Sequence, residues 1–185
     1  MLADDIQTLK FSSNVGKCTF RGYGPFAYRY CDVWSVVILN SVETIGEGAF
    51  KDYTDLDEVV LENGVKNIGS NAFSGCTKLN SITIPESVEI IGEGAFKDCT
   101  DLYEVVLENG VKNIGSNAFS GCTSLDSITI PESVETIGTG AFNGIDVVYV
   151  QSERVENLVK NNAGYTGTVI NINAPSDEGY NEDYS

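Results

Sequence analysis

The sequence predicts a β-rich solenoid, because it repeats at a fixed spacing and each repeat contains one short strand pattern. When the chain is aligned with itself, the same residue types recur every 23 residues. Such a period suits one coil of a solenoid, in which each unit packs only against its neighbours. The recurring isoleucines are Ile45, Ile68, Ile91, Ile114 and Ile137. A second period of 46 residues overlies the first, since 42–87 and 88–133 are nearly identical.

One stretch of each repeat alternates in the way that a half-buried strand does. In LDSITIP (125–131), Leu125, Ile128 and Ile130 point to one side, and Ser127 and Thr129 point to the other. Successive coils stack at roughly 4.8 Å, so equivalent strands should form a parallel sheet. The stretch VETIG (134–138) predicts a second, shorter extended segment, and GTGAFNG (138–144) predicts a turn containing one helical turn.

A recurring cysteine belongs to the predicted core. Ala72, Phe73 and Cys76 are spaced so that they share one side of a helical turn. Cys76, Cys99 and Cys122 occupy one register of the repeat, and the first repeat has Tyr53 there. A position that accepts tyrosine is a poor metal ligand or nucleophile, and free cysteine behaves as a small hydrophobe. We therefore predict buried, reduced and unligated thiols beside a stack of five phenylalanines.

A charged register alternates in sign from coil to coil. Its residues are Glu43, Lys66, Glu89, Lys112 and Glu135. Opposite charges on neighbouring strands attract each other and like charges repel, so this charge ladder favours the observed order of coils. The alternative is a charged recognition stripe. The structural interpretation is preferred because it explains why the repeat doubles to 46 residues.

A further register admits only glycine and asparagine. Its members are Gly48, Asn71, Gly94, Asn117 and Gly140. These two residue types tolerate a left-handed backbone best, so each coil is predicted to need a positive φ there.

The open ends of a solenoid need caps, and the predicted domain therefore covers 1–173. Its N-terminal cap is 1–41, with a hairpin over 7–22 and a degenerate first repeat strand. Aromatic side chains are expected to cover the first phenylalanine: Tyr23, Phe26, Tyr28, Tyr30 and Trp34. Cys18 and Cys31 lie outside the repeats and could pair if the protein is secreted, so their state stays open.

The C-terminal side follows five repeats over 42–150. Ser152 should cap a helix over 152–164, with Val155, Leu158 and Val159 as its buried stripe and Gly164 as its end. TVINI (168–172) alternates like one more strand, which completes a cap over 151–173. The acidic stretch 174–185 is poor in aliphatic residues and is predicted to be disordered.

Composition excludes several classes of function. The chain carries 27 acidic and 11 basic residues, for a net charge of −16, so nucleic acid and anionic membranes should repel it. It has no histidine, and we expect no enzyme activity, no cofactor and no bound metal. No apolar run is long enough to span a membrane, and Met1-Leu2-Ala3-Asp4-Asp5 lacks the basic start and apolar core of a signal peptide.

Recurring aspartates raise the question of a calcium site. Asp52, Asp55, Asp98 and Asp101 could suggest calcium, which needs six to eight oxygen ligands at one point. The two coils that carry them are separated by a coil with Gly75 and Lys78. A solvated face is therefore the preferred interpretation.

The unit SVEIIGEGAFKDCTDLYEVVL (87–107) resembles the BspA-like, or Treponema pallidum type, leucine-rich repeats. That family's pattern is close to V-x-x-I-G-x-x-A-F-x-x-C-x-x-L-x-x-I-x-I-P, and the resemblance covers roughly 25–165. It implies a right-handed solenoid with its parallel sheet on the concave face and short helical turns opposite. Glu62 and Glu108 depart from the pattern, because alternate repeats lose the proline that is kept as Pro85 and Pro131.

The resemblance also implies a function. Such proteins are commonly displayed on the surfaces of host-associated bacteria and protists, and several act as adhesins. We therefore expect a cell-surface or secreted module that binds host or microbial proteins, with a host extracellular matrix protein among the candidates. The alternative is a structural spacer without a strong ligand. We expect a monomer with no membrane insertion.

The predicted binding site is the outward face of the long strands. Rigid strands hold its side chains at a fixed spacing, and Tyr103 interrupts a register that is otherwise polar. The predicted partner-binding residues are Tyr103, Val60, Val106, Thr83, Thr129, Glu58 and Glu104. The alternative is that β-branched residues merely suit strands.

Overall fold

The computed structural model describes residues 9–10, 34–162 and 164–174, and over that part the chain is a parallel-sheet solenoid of about six turns. Each coil contributes one strand of four residues, and the coils whose long strands run from Ser35–Ile38 to Ser127–Ile130 each add one strand of two. The predicted hairpin beyond Leu9–Lys10, the aromatic residues before Trp34, Cys18, Cys31 and the stretch after 174 lie outside the described residues.

Four-residue strands form one side of the solenoid. They are β2 (Ser35–Ile38), β4 (Glu58–Leu61), β6 (Ser81–Ile84), β8 (Glu104–Leu107), β10 (Ser127–Ile130), β12 (Val147–Val150) and β13 (Thr168–Asn171). The strand β1 (Leu9–Lys10) runs antiparallel to β2, and all other pairings are parallel. The pairs fall into two groups, β1-β2-β4-β6-β8 and β10-β12-β13.

The prolines weaken pairing at every second junction. The N–H of Glu108 donates to the carbonyl of Ile84 at 3.0 Å, and β6 and β8 pair over all four residues. Pro85 and Pro131 have no N–H to donate at the equivalent point. The strand β6 accordingly pairs with β4 only at Glu58 and Ser81, and β10 is not paired with β8.

The glutamates that replace proline act through their side chains. Oε2 of Glu62 accepts a hydrogen bond from the N–H of Asn40 at 2.9 Å, and Oε2 of Glu108 accepts one from the N–H of Glu86 at 2.9 Å. Each carboxylate thereby satisfies a backbone donor of the preceding coil. The departure from the family pattern therefore stabilises the contact between coils.

Two-residue strands form a second parallel sheet along another edge of the coils. They are β3 (Thr44–Ile45), β5 (Asn67–Ile68), β7 (Ile90–Ile91), β9 (Asn113–Ile114) and β11 (Thr136–Ile137), in the order β11-β9-β7-β5-β3. The second residue of each strand is a buried or half-buried isoleucine, and together these form the isoleucine row that the 23-residue period predicted.

A third line of backbone hydrogen bonds follows the turns. The N–H groups of Gly48, Phe50 and Asp52 donate to carbonyls of the next coil at 2.9, 2.7 and 2.8 Å. Within each coil the turns close by i to i−3 bonds, such as the one from the N–H of Tyr53 to the carbonyl of Phe50. The turns therefore bind neighbouring coils together as the strands do.

Positive φ angles make this turn geometry possible. All five members of the glycine and asparagine register have them, from 54° at Asn71 to 69° at Gly140, which confirms that prediction. A second positive-φ register, Asp52, Gly75, Asp98, Gly121 and Gly144, was not predicted. The two registers alternate, so that each of the first four coils carries one polar side chain and one glycine.

The side chain of each asparagine restricts the next coil. Oδ1 of Asn71 lies 2.6 Å from the position that a Cβ atom on Gly94 would take, and Asn117 lies 2.7 Å from the same position on Gly140. Real Cβ atoms essentially never approach so closely. A side chain in the coil that follows an asparagine would therefore have to displace the asparagine amide.

The core is a stack of aromatic rings flanked by thiols. The rings of Phe50, Phe73, Phe96 and Phe119 are nearly parallel, with centroids 5.2–5.4 Å apart, and Phe142 follows at 6.3 Å. Such offset stacks add to the stabilisation that comes from burying the rings. Tyr53 closes one end edge-on and Tyr165 closes the other.

Within the described residues, the predicted charge ladder contains two ion pairs, and they differ in length. Nζ of Lys66 lies 3.2 Å from Glu43, and Nζ of Lys112 lies 2.8 Å from Glu89. Each lysine thus pairs with the glutamate of the preceding coil. The hydrogen bond from Lys112 and its positive charge lower the pKa of Glu89.

The C-terminal cap contains α1 (Glu153–Lys160), which Ser152 caps by accepting a hydrogen bond from the N–H of Val155. Val155 and Val159 are buried as predicted, whereas Leu158 is only partly buried. The helix ends at Lys160, before the predicted end at Gly164. Just after the helix, Nδ2 of Asn162 donates to the carbonyls of Ile137 and Gly138 at 2.9 Å, which attaches this end to the last coil.

Candidate partner-binding face

The long-strand face comprises the outward side chains of β4, β6, β8 and β10, together with the residue before each strand. These side chains point outward because buried and exposed residues alternate along each strand. In β4, Val59 and Leu61 are buried in the core while Glu58 and Val60 are exposed. The same pattern in the next three coils places equivalent side chains in rows across the strands.

Two apolar positions that the sequence singled out are exposed. Val60 is 42% exposed and Val106 is 43% exposed, although either could have been folded inward in a slightly different register. Strand pairing puts Thr83 directly beside Val106, and Thr129 takes the equivalent place in β10. These four residues therefore form one row of β-branched side chains.

Tyr103 is the most prominent side chain of the face, at 60% exposure. Its backbone N–H donates to the carbonyl of Asn80 at 3.0 Å, which fixes the start of β8 against the previous coil. A rigid backbone and a large exposed ring suit a contact residue, because little freedom is lost on binding.

The glutamates of the face differ in their contacts. Oε2 of Glu58 accepts a hydrogen bond from Oγ of Ser35 at 2.7 Å. The side chain of Glu104 has no hydrogen bond or ion pair within the described part of the chain. Ser81 lies between Glu58 and Glu104 in the sheet, and its small side chain leaves room beside both carboxylates. The seven predicted residues therefore share one face.

The structure extends this face at both ends. Trp34 was expected to cover the core but is 47% exposed. It lies one coil before Asp57, whose N–H donates to the carbonyl of Trp34 at 2.9 Å. Ile170, on β13, is 39% exposed and continues the row of Val106 through Tyr149. The alternation in VVYV (147–150) and TVIN (168–171) was the sequence signal for Tyr149 and Ile170.

The three thiols face the core and are poor candidates for chemistry. Sγ of Cys76, Cys99 and Cys122 lies 3.1 Å from the carbonyl of a phenylalanine in the preceding coil. All three are free and buried, as predicted. Burial raises the pKa of Cys76 and Cys122 to about 12, and the pKa of Cys99 is raised too, so the thiols stay protonated near neutral pH.

The other described surfaces show weaker signs of a functional site. Over the described residues, no group of three or more potential ligands converges on a metal, and no helix is long and apolar enough to cross a membrane. A groove of about 440 Å³ separates α1 from β11. Two of its polar residues, Arg154 and Asn162, donate hydrogen bonds to backbone carbonyls of the last coils and so attach the cap.

Stacked coils of 23 residues with a long-strand face and a phenylalanine stack define a leucine-rich repeat protein. The chain belongs to the family of BspA type leucine-rich repeat regions, whose model matches residues 23–148 in six copies. This confirms the resemblance inferred from the sequence.

Solved structures agree with this assignment. The leucine-rich repeat protein of T. pallidum is 30% identical, with 75% of this chain and 70% of that one covered and a TM-score of 0.62. A leucine-rich cell surface protein from Faecalibacterium prausnitzii A2-165 is 31% identical over 68% of this chain and 41% of its own, with a TM-score of 0.53. The pneumococcal vaccine antigen PcpA, 22% identical with 75% and 41% covered and a TM-score of 0.60, shares the fold. No curated protein matches the chain.

Proposed function

We propose that this chain is a protein-binding module of a cell-surface or secreted adhesin, and that it binds its partner on the long-strand face. The observation that carries the proposal is the concentration of exposed apolar side chains there. Trp34, Val60, Tyr103, Val106 and Ile170 stand on or beside this face, and elsewhere only Ile90 and Ile172 among the described large apolar residues are comparably exposed. Exposed apolar groups that are grouped on one face are typical of interaction sites.

The fold supports this function by holding the face rigid. Backbone hydrogen bonds join the coils along the short strands and the turns, and along the long strands except between β8 and β10. The phenylalanine stack fills the space between the coils. A surface fixed in this way loses little entropy on binding. The F. prausnitzii relative is a cell surface protein, which supports the proposed location.

The experiment measures binding of the purified chain to a panel of immobilised extracellular matrix proteins by biolayer interferometry. For any protein that binds, the double variant Tyr103→Ala with Val106→Glu should weaken binding about tenfold or more, equivalent to about 1.4 kcal/mol. The melting temperature should stay nearly unchanged, because both side chains are exposed.

The matched control reverses two charges on the turn face, Lys51→Glu with Lys97→Glu. We expect this variant to bind as the unchanged chain does. If binding survives the Tyr103 and Val106 double variant but is lost in the lysine control, the site lies on the turns and the assignment is wrong. If nothing in a broad panel binds, the spacer hypothesis is favoured.

A further inference from the structure

Charged side chains are unevenly distributed around the solenoid. Between 34 and 174, the bases lie in turns, ahead of the short strands and in α1. The described ion pairs use Lys66, Lys78, Lys112 and Lys160, and none of them reaches the long-strand face. The exposed ionisable groups flanking the apolar row of that face are acids: Asp57, Glu58, Glu104 and Asp126.

We infer that the partner presents a basic segment in the polyproline II conformation, with Lys or Arg at every third residue. This inference rests on the proposed function, because it names the partner of the same face. The sheet face supplies exposed apolar side chains, and its acids form no ion pair within the described residues, so a cationic partner complements it.

The spacing of the acids matches the repeat of a polyproline II segment. Glu58 and Glu104 are two coils apart, which corresponds to roughly 9.6 Å at the usual separation of neighbouring strands. A polyproline II helix has three residues per turn and rises 3.1 Å per residue, so the same side recurs about every 9.3 Å. A β-strand repeats its side about every 6.7 Å and fits this interval poorly.

The apolar side chains complete the match. Val60 and Val106 lie two residues after Glu58 and Glu104 in the same strands, so each acid has an apolar neighbour at equal spacing. Polyproline II ligands dock against exposed aromatic rings, and Tyr103 offers one beside Glu104. A segment that runs across the strands would therefore place cations on the acid row and its prolines on the apolar row.

The test uses a synthetic peptide of repeating Pro-Pro-Lys, with binding to the full chain measured by fluorescence anisotropy. A first control peptide repeats Pro-Pro-Glu. A second has the composition of the first but groups its lysines at one end. We expect the Pro-Pro-Lys repeat to bind at least about tenfold more tightly than either control.

The matched protein variants remove equal charge from two faces. Glu58→Gln with Glu104→Gln keeps the size of both side chains and should weaken binding about tenfold. Glu47→Gln with Glu93→Gln removes two exposed acids that are also two coils apart, but on the turns, and should have little effect. The tenfold difference should shrink as salt is raised.

Three results would overturn the inference: no binding of the Pro-Pro-Lys repeat, equal binding of the peptide with grouped lysines, or equal losses in the two double variants. The last would mean that the acidic chain attracts cations without a defined site. If the peptide fails while a matrix protein still binds in a Tyr103-dependent manner, only this inference falls and the proposed function stands.

Discussion

The carboxylate of Asp52 occupies the space over Gly75 in the next coil: its Oδ1 lies 2.5 Å from the position that a Cβ atom on Gly75 would take. Gly75 also has a φ of 75°, so a side chain there would add backbone strain to its close approach to Asp52. Asp98 and Gly121 repeat the relationship two coils later. Together with the asparagine register, this contact makes adjacent coils different from each other.

Gly75→Ala should destabilise the protein by about 2–4 kcal/mol, because it adds backbone strain to a steric clash. In the Asp52→Gly background the clash is absent, so the same substitution should cost at least about 1 kcal/mol less. Urea unfolding of the four proteins of this cycle measures the difference. Equal costs in both backgrounds would show that Asp52 does not restrict Gly75.

Lys112→Glu should destabilise the protein, because it places an acid between Glu89 and Glu135 and removes the ion pair with Glu89. Lys97→Glu makes the same change of charge at a turn lysine that forms no ion pair within the described residues, and it serves as the control. At low salt the fall in melting temperature should be roughly twice as large for Lys112→Glu, and the gap should close at about 1 M salt. A gap that persists there would rule out the charge ladder as its cause.

Phe96→Ala should cost about 3–5 kcal/mol, because the ring is fully buried and stacks on a neighbour at each side. Tyr103→Ala, an aromatic truncation in the same coil, should change stability by less than about 0.5 kcal/mol. Chemical denaturation of both variants provides the measurement. A large loss for Tyr103→Ala would mean that its ring supports the coil and is not free for a partner.

Cys76, Cys99 and Cys122 should resist thiol reagents in the folded protein and react once it is unfolded. Each lies in the core with its thiol directed at a backbone carbonyl. Mass spectrometry after timed alkylation, with and without urea, counts the labelled sites. Rapid labelling of all three under native conditions would contradict the core assignment.

Alkaline pH should destabilise the protein through the same thiols. The folded-state pKa of Cys76 is raised from 9.0 to about 12 by burial, so above pH 9 the unfolded chain loses this proton while the folded chain keeps it. Stability is therefore fully present below pH 9 and falls as the pH rises towards 12, by at most about 1.4 kcal/mol per pH unit for one thiol. Cys76→Ala should show a shallower decline between pH 9 and 11 than the unchanged chain. Parallel declines would exclude Cys76 as a cause.

The sequence predicted most of the repeat because each coil repeats the same local physics. Positive φ at Asn71 and Gly48 followed from residue type alone. The equivalent conformation of Asp52 was missed, because aspartate recurring with glycine was weighed only as a calcium ligand or a solvated acid. The roles of Glu62 and Asn162 were beyond reach, since both bind backbone atoms of other coils that no local pattern displays.

The candidate site was partly predictable for a related reason. Alternation assigned Val60 and Val106 to the outer surface, and register placed them in one row. Trp34 was assigned to the cap because aromatic residues usually cover a core end, whereas its exposure depends on where the first coil begins. The same alternation carried through to Ile170, but the shortened coil before β12 hid it.

The alternation of polar residue and glycine at two positive-φ positions limits how such a gene can change length. A recombination that inserted a single coil would set an aspartate against an aspartate, or an asparagine against an asparagine, with side chains competing for one space. It would also set two like charges side by side in the charge ladder. An insertion or deletion of 46 residues avoids both conflicts, as the near-identity of 42–87 and 88–133 illustrates. The heritable unit of this chain is therefore a pair of coils, and alleles that differ in length should differ by whole pairs.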